Sequence, residues 1–268
     1  MNQLFNHYLR QYYHLAVCTF CLTAFIYISS ASPIHWFYAG WVGLITYLLY
    51  NYRYLFAYDV NQLLTSWKKN AIFPILLLAV LCCGLLQIKN LIAELPAWIV
   101  ASILCILYFR KTIINIQPLR ENYLLKPLII GVVFAILTAY IPYQHAGYSI
   151  SESLFLSVAR CTFIGALALV FDIGDIGDDT DSPTVTFPQK TSVITTKWVA
   201  SALLLVSGLI EGYGAWIFLI DFPALIVLFF TYLFAWVLII KSGSSRPSWY
   251  YFFLVDGTMA MPLLFSLI

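Results

Sequence analysis

Long apolar runs separated by short polar connections set the pattern of this chain, and they predict helices. Charge, proline and glycine mark the runs off at Leu15–Ser30, Trp36–Tyr58, Ala71–Ile88, Leu91–Phe109, Leu125–Tyr143, Glu152–Asp172, Lys197–Tyr213, Pro223–Ile240 and Trp249–Leu267. The runs are continuous rather than alternating, which favours helices over a membrane barrel. The expected fold is an all-α polytopic integral membrane protein of about nine spans, one domain over residues 1–268. The region Ala215–Ile240 is long and interrupted by Asp221 and Pro223, so the final two spans depend on where it is divided.

The basic residues give these spans a direction. Arg10, Lys68, Lys69, Arg110, Lys111, Arg120, Lys126, Lys190, Lys197, Lys241 and Arg246 fall in one set of connections, and only Lys89 in the other. That asymmetry predicts a cytoplasmic N-terminus and a C-terminus on the opposite side. Composition agrees: 62% of residues are hydrophobic and 10% charged, with mean hydropathy +0.87. A soluble domain carries about 25% charged residues, and this chain has too few to wet its own surface. The net charge of +2 argues against a nucleic-acid partner. Six cysteines lie inside apolar runs. Cys18 and Cys21 have redox or zinc spacing, but no second pair or histidine completes a ligand set, so they read as small hydrophobes.

The acidic residues at the end of the sixth run carry the chemistry. Asp172, Asp175 and Asp179 are spaced i, i+3, i+7 and share one helical face. Carboxylates crowded at the mouth of an apolar helix repel one another, and a hard cation such as Mg2+ bound to a phosphate would relieve that repulsion. The plain alternative is a solvated helix end, although a helix C-terminus prefers cations. The second run ends on the same side, with Asn51, Leu55 and Asp59 at i, i+4, i+8 beside Tyr50, Tyr52, Tyr54 and Phe56. Arg53 either snorkels to the headgroups or meets a diphosphate. Arg160 sits deep in the sixth span and needs an interior partner, for which Asp256 is one candidate. Glu211 and Asp221 are placed nearer the far surface.

From Asp172 to Asp179 the chain reads Asp-Ile-Gly-Asp-Ile-Gly-Asp-Asp, followed by Thr186-Phe187-Pro188 and Lys190. This resembles the second motif of the UbiA-type membrane prenyltransferase superfamily, an Asp-rich run with a downstream Thr-Leu-Pro and a basic residue. The span count and the Lys126–Gly131 segment that opens the fifth run extend the resemblance along most of the chain. It departs from the family at the first motif, where Asn51 and Asp59 match but Tyr52 and Leu55 replace the inner aspartates.

The resemblance implies a helical bundle around a central cavity and a multi-pass protein of a prokaryotic inner (plasma) membrane. It implies Mg2+ held by Asp172, Asp175, Asp179 and Asp59, the first three acting in catalysis. Asn51, Arg53 and Lys190 would contact an isoprenoid diphosphate, whose prenyl group passes to a small, aromatic acceptor. A terpene cyclase acting on the prenyl diphosphate, and an inactive isoprenoid- or lipid-binding protein, are the alternatives it leaves open.

Overall fold

In hydrocarbon each backbone N–H and C=O must bond within its own segment, so continuous apolar runs become helices. The computed structural model describes residues 9, 12–51, 88–109, 119–176 and 185–267, and among these no strand occurs. The helices are α1 (Tyr13–Ser29), α2 (Trp36–Asn51), α3 (Ile88–Phe109), α4 (Leu125–His145), α5 (Ile150–Gly174), the short α6 (Phe187–Lys190), α7 (Val193–Trp216) and α8 (Phe222–Lys241). A π-helical turn, Tyr250–Val255, and a short α9, Met261–Ser266, follow. Four of these helices, α4, α5, α7 and α8, are long and apolar enough to cross a membrane. The end of the expected Trp36–Tyr58 span and all but the last residue of Ala71–Ile88 lie outside the described residues.

Local sequence explains where helices start and bend. Ser149 and Glu152 form a capping box that opens α5, and at the start of α6 the Gln189 side chain accepts from the Thr186 N–H at 2.8 Å. Ser192 caps α7 through the Thr195 N–H at 3.0 Å. Pro142 removes the N–H that would bond the Thr138 carbonyl, and α4 widens to π geometry over Ile136–Tyr140. Within that stretch the Leu137 carbonyl accepts from the Tyr38 hydroxyl at 2.9 Å, which ties α2 to α4.

The run expected as one helix over Trp249–Leu267 is broken. Pro262 deprives Thr258 of its helical partner in the same way, and the bonds before it tighten to i→i+3 at Thr258, Met259 and Ala260.

Packing centres on α5, which lies against α4 and α7, while α1 packs on α2. A Cβ on Gly131 would meet the Cys161 carbonyl oxygen at 2.6 Å, so α4 and α5 touch backbone to backbone. Ser207 of α7 donates to the Ala159 carbonyl of α5 at 2.7 Å. Beside it Arg160, 2% exposed, has its counter-charge in Glu211 of α7, whose carboxylate also accepts from Tyr232. Glu211, rather than Asp256, is thus the acid whose charge Arg160 balances, with no ion pair within 4 Å between them among the described residues. α7 continues to Trp216 rather than stopping at Tyr213, which draws Glu211 inside the helix and away from the surface.

The outer faces of α7 and α8 are apolar without a protein neighbour: Trp198, Leu209, Trp216, Phe222 and Phe229 are all exposed. Water would not tolerate a patch of that extent, whereas lipid tails solvate it. Opposite the acidic end of α5, polar groups are tied together. Glu94 of α3 pairs with His145 of α4 and accepts from Trp98 at 3.2 Å, and Tyr27 of α1 lies 2.9 Å from His145 Nδ1. The His35 ring packs on His145 at 5.3 Å, and its burial, followed by the charge of His145, pushes the His35 imidazole below its usual range.

The Gly131 contact can be tested directly. Gly131→Ala should destabilise the detergent-solubilised protein by about 1–3 kcal/mol, because a methyl group forces α4 and α5 apart. Gly212→Ala, where nothing lies within 4 Å of the added carbon, should leave the unfolding temperature unchanged or slightly raised. Equal effects of the two substitutions would contradict the backbone contact.

Candidate functional site

Lys126 opens α4 directly before Pro127, a position where the chain can begin a helix but the long side chain has apolar surroundings. Its ammonium reaches the last turn of α5, where Nζ lies 2.6 Å from Asp172 Oδ1 and 3.5 Å from Asp175 Oδ2. Asp172 is 1% exposed and Asp175 45%, so the pair has one buried and one open carboxylate. Gly174 between them leaves room for the Tyr251 ring, which a Cβ would meet at 2.8 Å. The Tyr251 hydroxyl donates to the Gly243 carbonyl at 2.8 Å and clasps the α8 connection to this end of α5.

Asp172, Asp175 and Lys126 form the polar edge of a cavity of about 360 Å3. Helical stripes line it: Lys126, Ile130 and Phe134 from α4, and Ile164, Leu167, Ala168, Phe171, Asp172 and Asp175 from α5. The α5 stripe spans about 16 Å at 1.5 Å per residue. Tyr12 and Leu15, Tyr50, Tyr108, and Phe252, Asp256 and Met259 complete the wall. Aromatic faces cluster around the opening, with Tyr12 and Tyr50 at 5.3 Å and Phe171 and Phe252 at 5.8 Å between centroids. A narrower apolar slot of about 40 Å3 shares Tyr50, Tyr108, Ile130 and Phe134 with the cavity and continues toward Thr46, Leu137 and Thr138.

The structure brings together part of the set expected from the sequence. Asp172 and Asp175 converge on the cavity. Asn51 ends α2 next to Tyr50, with its amide donating to the Tyr47 carbonyl at 3.1 Å. Lys190 is exposed at the end of α6 and is not part of the cavity wall. Arg53, Asp59 and Asp179 lie outside the described residues. Lys126, Tyr108 and Asp256 are wall residues that sequence reasoning did not place there. The available signal for Lys126 was a charge between an apolar run and a helix-opening proline; read as topology and as part of a family-like segment, it was given no role in a site.

The donor set suits a hard divalent ion in kind. Two carboxylates converge from one helical turn, and against one ammonium they leave net negative charge at the mouth among the described residues. No group of three or more His, Cys, Asp or Glu side chains among the described residues is placed to hold a metal by protein ligands alone. An ion here would take its remaining oxygens from water or from a phosphate-bearing ligand, as Mg2+ commonly does.

Removing one half of a buried pair strands the other half. Lys126→Met should destabilise the protein by about 3 kcal/mol, and Asp172→Asn combined with it should restore a large part of that loss. Thermal unfolding of both single variants and the double variant gives the coupling; strictly additive effects would show that the pair is not a unit. No protein-family model, curated protein or solved structure matches this chain.

Proposed function

We propose that this chain is a membrane-embedded enzyme of isoprenoid diphosphates that transfers a prenyl group to a small acceptor, with the fold of a divergent UbiA-type protein of about nine spans. One observation carries the reading: a carboxylate pair and a lysine stand at the mouth of a cavity whose wall is otherwise aromatic and aliphatic. A prenyl diphosphate has the same polarity, an anionic head on an apolar chain. The cavity volume lies within the range of small-ligand sites, about 300–1,000 Å3.

In this reading Lys126 faces the diphosphate oxygens, the part that sequence analysis gave to Lys190 and Arg53. Asp172 and Asp175 would hold Mg2+, with Asp59 and Asp179 the further candidates from the sequence. Bound there, Mg2+ supplies neutralisation of the departing diphosphate. The rings of Tyr12, Tyr50, Tyr108, Phe134, Phe171 and Phe252 exclude water from the allylic carbon and offer their negative faces to its developing charge. The apolar slot behind Tyr50 and Phe134 receives the end of the prenyl chain. Basic residues support an orientation with the mouth toward the cytoplasm of a prokaryotic inner membrane: Lys126, Lys190, Lys241 and Arg246 all belong to connections at this end.

Protein in lipid vesicles, supplied with geranyl, farnesyl or geranylgeranyl diphosphate, should release diphosphate only when Mg2+ is present. Asp175→Ala should lower that release by about 10²-fold or more. Asp175 is chosen because it is half exposed and its loss leaves the helices inserted. A cyclic hydrocarbon formed without acceptor would favour a cyclase, and binding without release a lipid-binding role. Release that is undiminished in Asp175→Ala would remove this motif from the chemistry.

A further inference from the structure

The outer surface of α7 and α8 carries a groove that the mouth does not involve. It has a volume of about 650 Å3 between the two helices. Its floor is low because Ser201, Ala202 and Gly208 are small, and a Cβ on Gly208 would meet the Tyr232 ring at 3.5 Å. Leu205, Phe229 and Leu233 line it and are exposed. From Trp198 to Leu209 the groove covers about 16 Å at 1.5 Å per residue. That is the depth of one leaflet, since the hydrocarbon core is about 30 Å thick.

Basic groups collect at one end of this groove. Lys197, Ser201 and Gly208 are spaced i, i+4, i+11 and share a stripe of α7. Lys197 Nζ donates to the Ile240 carbonyl of α8 at 2.8 Å, one turn beyond Trp236. Arg246 is near enough for its charge to act on Lys197, and its Nε donates to the Lys241 carbonyl at 2.9 Å. Like charges held together repel, and an anion between them relieves the repulsion. None of Lys197, Lys241 and Arg246 forms an ion pair among the described residues. Trp198 and Trp236, 74% and 45% exposed, flank this end from the two helices, as indoles do at headgroup level. The mouth lies at the same end of the bundle, because Tyr251 joins Gly243 to the last turn of α5.

We infer that this groove is a binding site for one anionic phospholipid of the leaflet on the mouth side. Its phosphate sits among Lys197, Lys241 and Arg246, and an acyl chain lies along α7 and α8 as far as Leu209 and Phe229. Charge selects the head: a zwitterionic lipid brings its own cation to three basic residues, whereas an anionic one adds only negative charge. The depth of one leaflet selects the tail, because a free phosphate would leave the groove below it unfilled. Positive-inside topology by itself puts a lysine at this end, as at Lys190, but supplies no groove beneath it. The site is separate from the prenyl-transfer reading and does not depend on it.

Native mass spectrometry of the purified full chain, titrated with dioleoyl phosphatidylglycerol or dioleoyl phosphatidylcholine, measures the affinity of the first bound lipid. Phosphatidylglycerol should bind about 10-fold more tightly or better, since each basic residue near an anionic lipid is worth about a fivefold gain. Equal binding of the two lipids would mean unselective solvation by lipid and overturns the proposal without recourse to any variant. Lys197→Gln combined with Arg246→Gln should cut the preference to about 3-fold or less, whereas Lys190→Gln, which removes a cation of α6, should keep it. A preference that survives the double substitution, or falls as far in Lys190→Gln, overturns the site. Ala202→Phe changes an exposed position and fills the groove without altering charge. It should weaken phosphatidylglycerol binding by about 10-fold at an unchanged unfolding temperature. An unchanged affinity there rejects the groove as the seat of the acyl chain.

Discussion

A carboxylate at the edge of hydrocarbon must find a cation, and for Asp172 that cation is Lys126. The constraint is strict because each charge pays heavily to leave water, and their attraction repays it only at close range. At 2.6 Å the two are in direct contact, and they join the first turn of α4 to the last turn of α5. That contact sets the height at which the two helices face each other. The backbone approach at Gly131 and the stripe of cavity residues below depend on the same register.

The same rule arranges the other polar groups of the described helices. Glu211, Tyr232 and Ser207 form one hydrogen-bonded network between α5, α7 and α8 that lies close to the Arg160 charge, and Glu94, His145, Tyr27 and Trp98 form another at the far end. Both networks lie away from the cavity wall. They lock helix pairs together in a medium where apolar surface provides no preference for protein over lipid. The mouth differs in that Asp175 remains half open, beside a pocket that protein atoms do not fill.

Much of the helical framework was legible in the chain. Expected spans at Leu125–Tyr143, Glu152–Asp172 and Pro223–Ile240 match α4, α5 and α8 to within two residues at each end, since hydropathy and capping residues act locally. The helical spacing that put Asp172 and Asp175 on one face likewise survives, because both line the cavity. What failed was pairing. Asp256 was one candidate for Arg160 from depth along single helices, but α7 runs on to Trp216 and brings the charge of Glu211 to it instead. Lys126 was hidden because positive-inside topology already explained a lysine at that point. Pro262 was visible in the sequence, yet its effect on a short terminal segment depends on packing that no hydropathy window contains.

Whether the mouth is a structural clasp or a binding site turns on what surrounds it. A clasp needs two partners in close packing, as Glu94 and His145 have. Closing the space under Lys126 and Asp172 would strengthen such a clasp, since lower polarisability around an ion pair deepens its attraction. The chain instead keeps about 360 Å3 beside the pair and lines it with tyrosine and phenylalanine from several helices. It also leaves a second carboxylate, Asp175, without the burial that would serve stability alone. Open volume beside an ion pair weakens a scaffold, and it is what the proposed ligand with its apolar tail would fill. On the proposed reading the mouth is a site that Lys126 holds in shape, and the ion pair with Asp172 serves the cavity beside it.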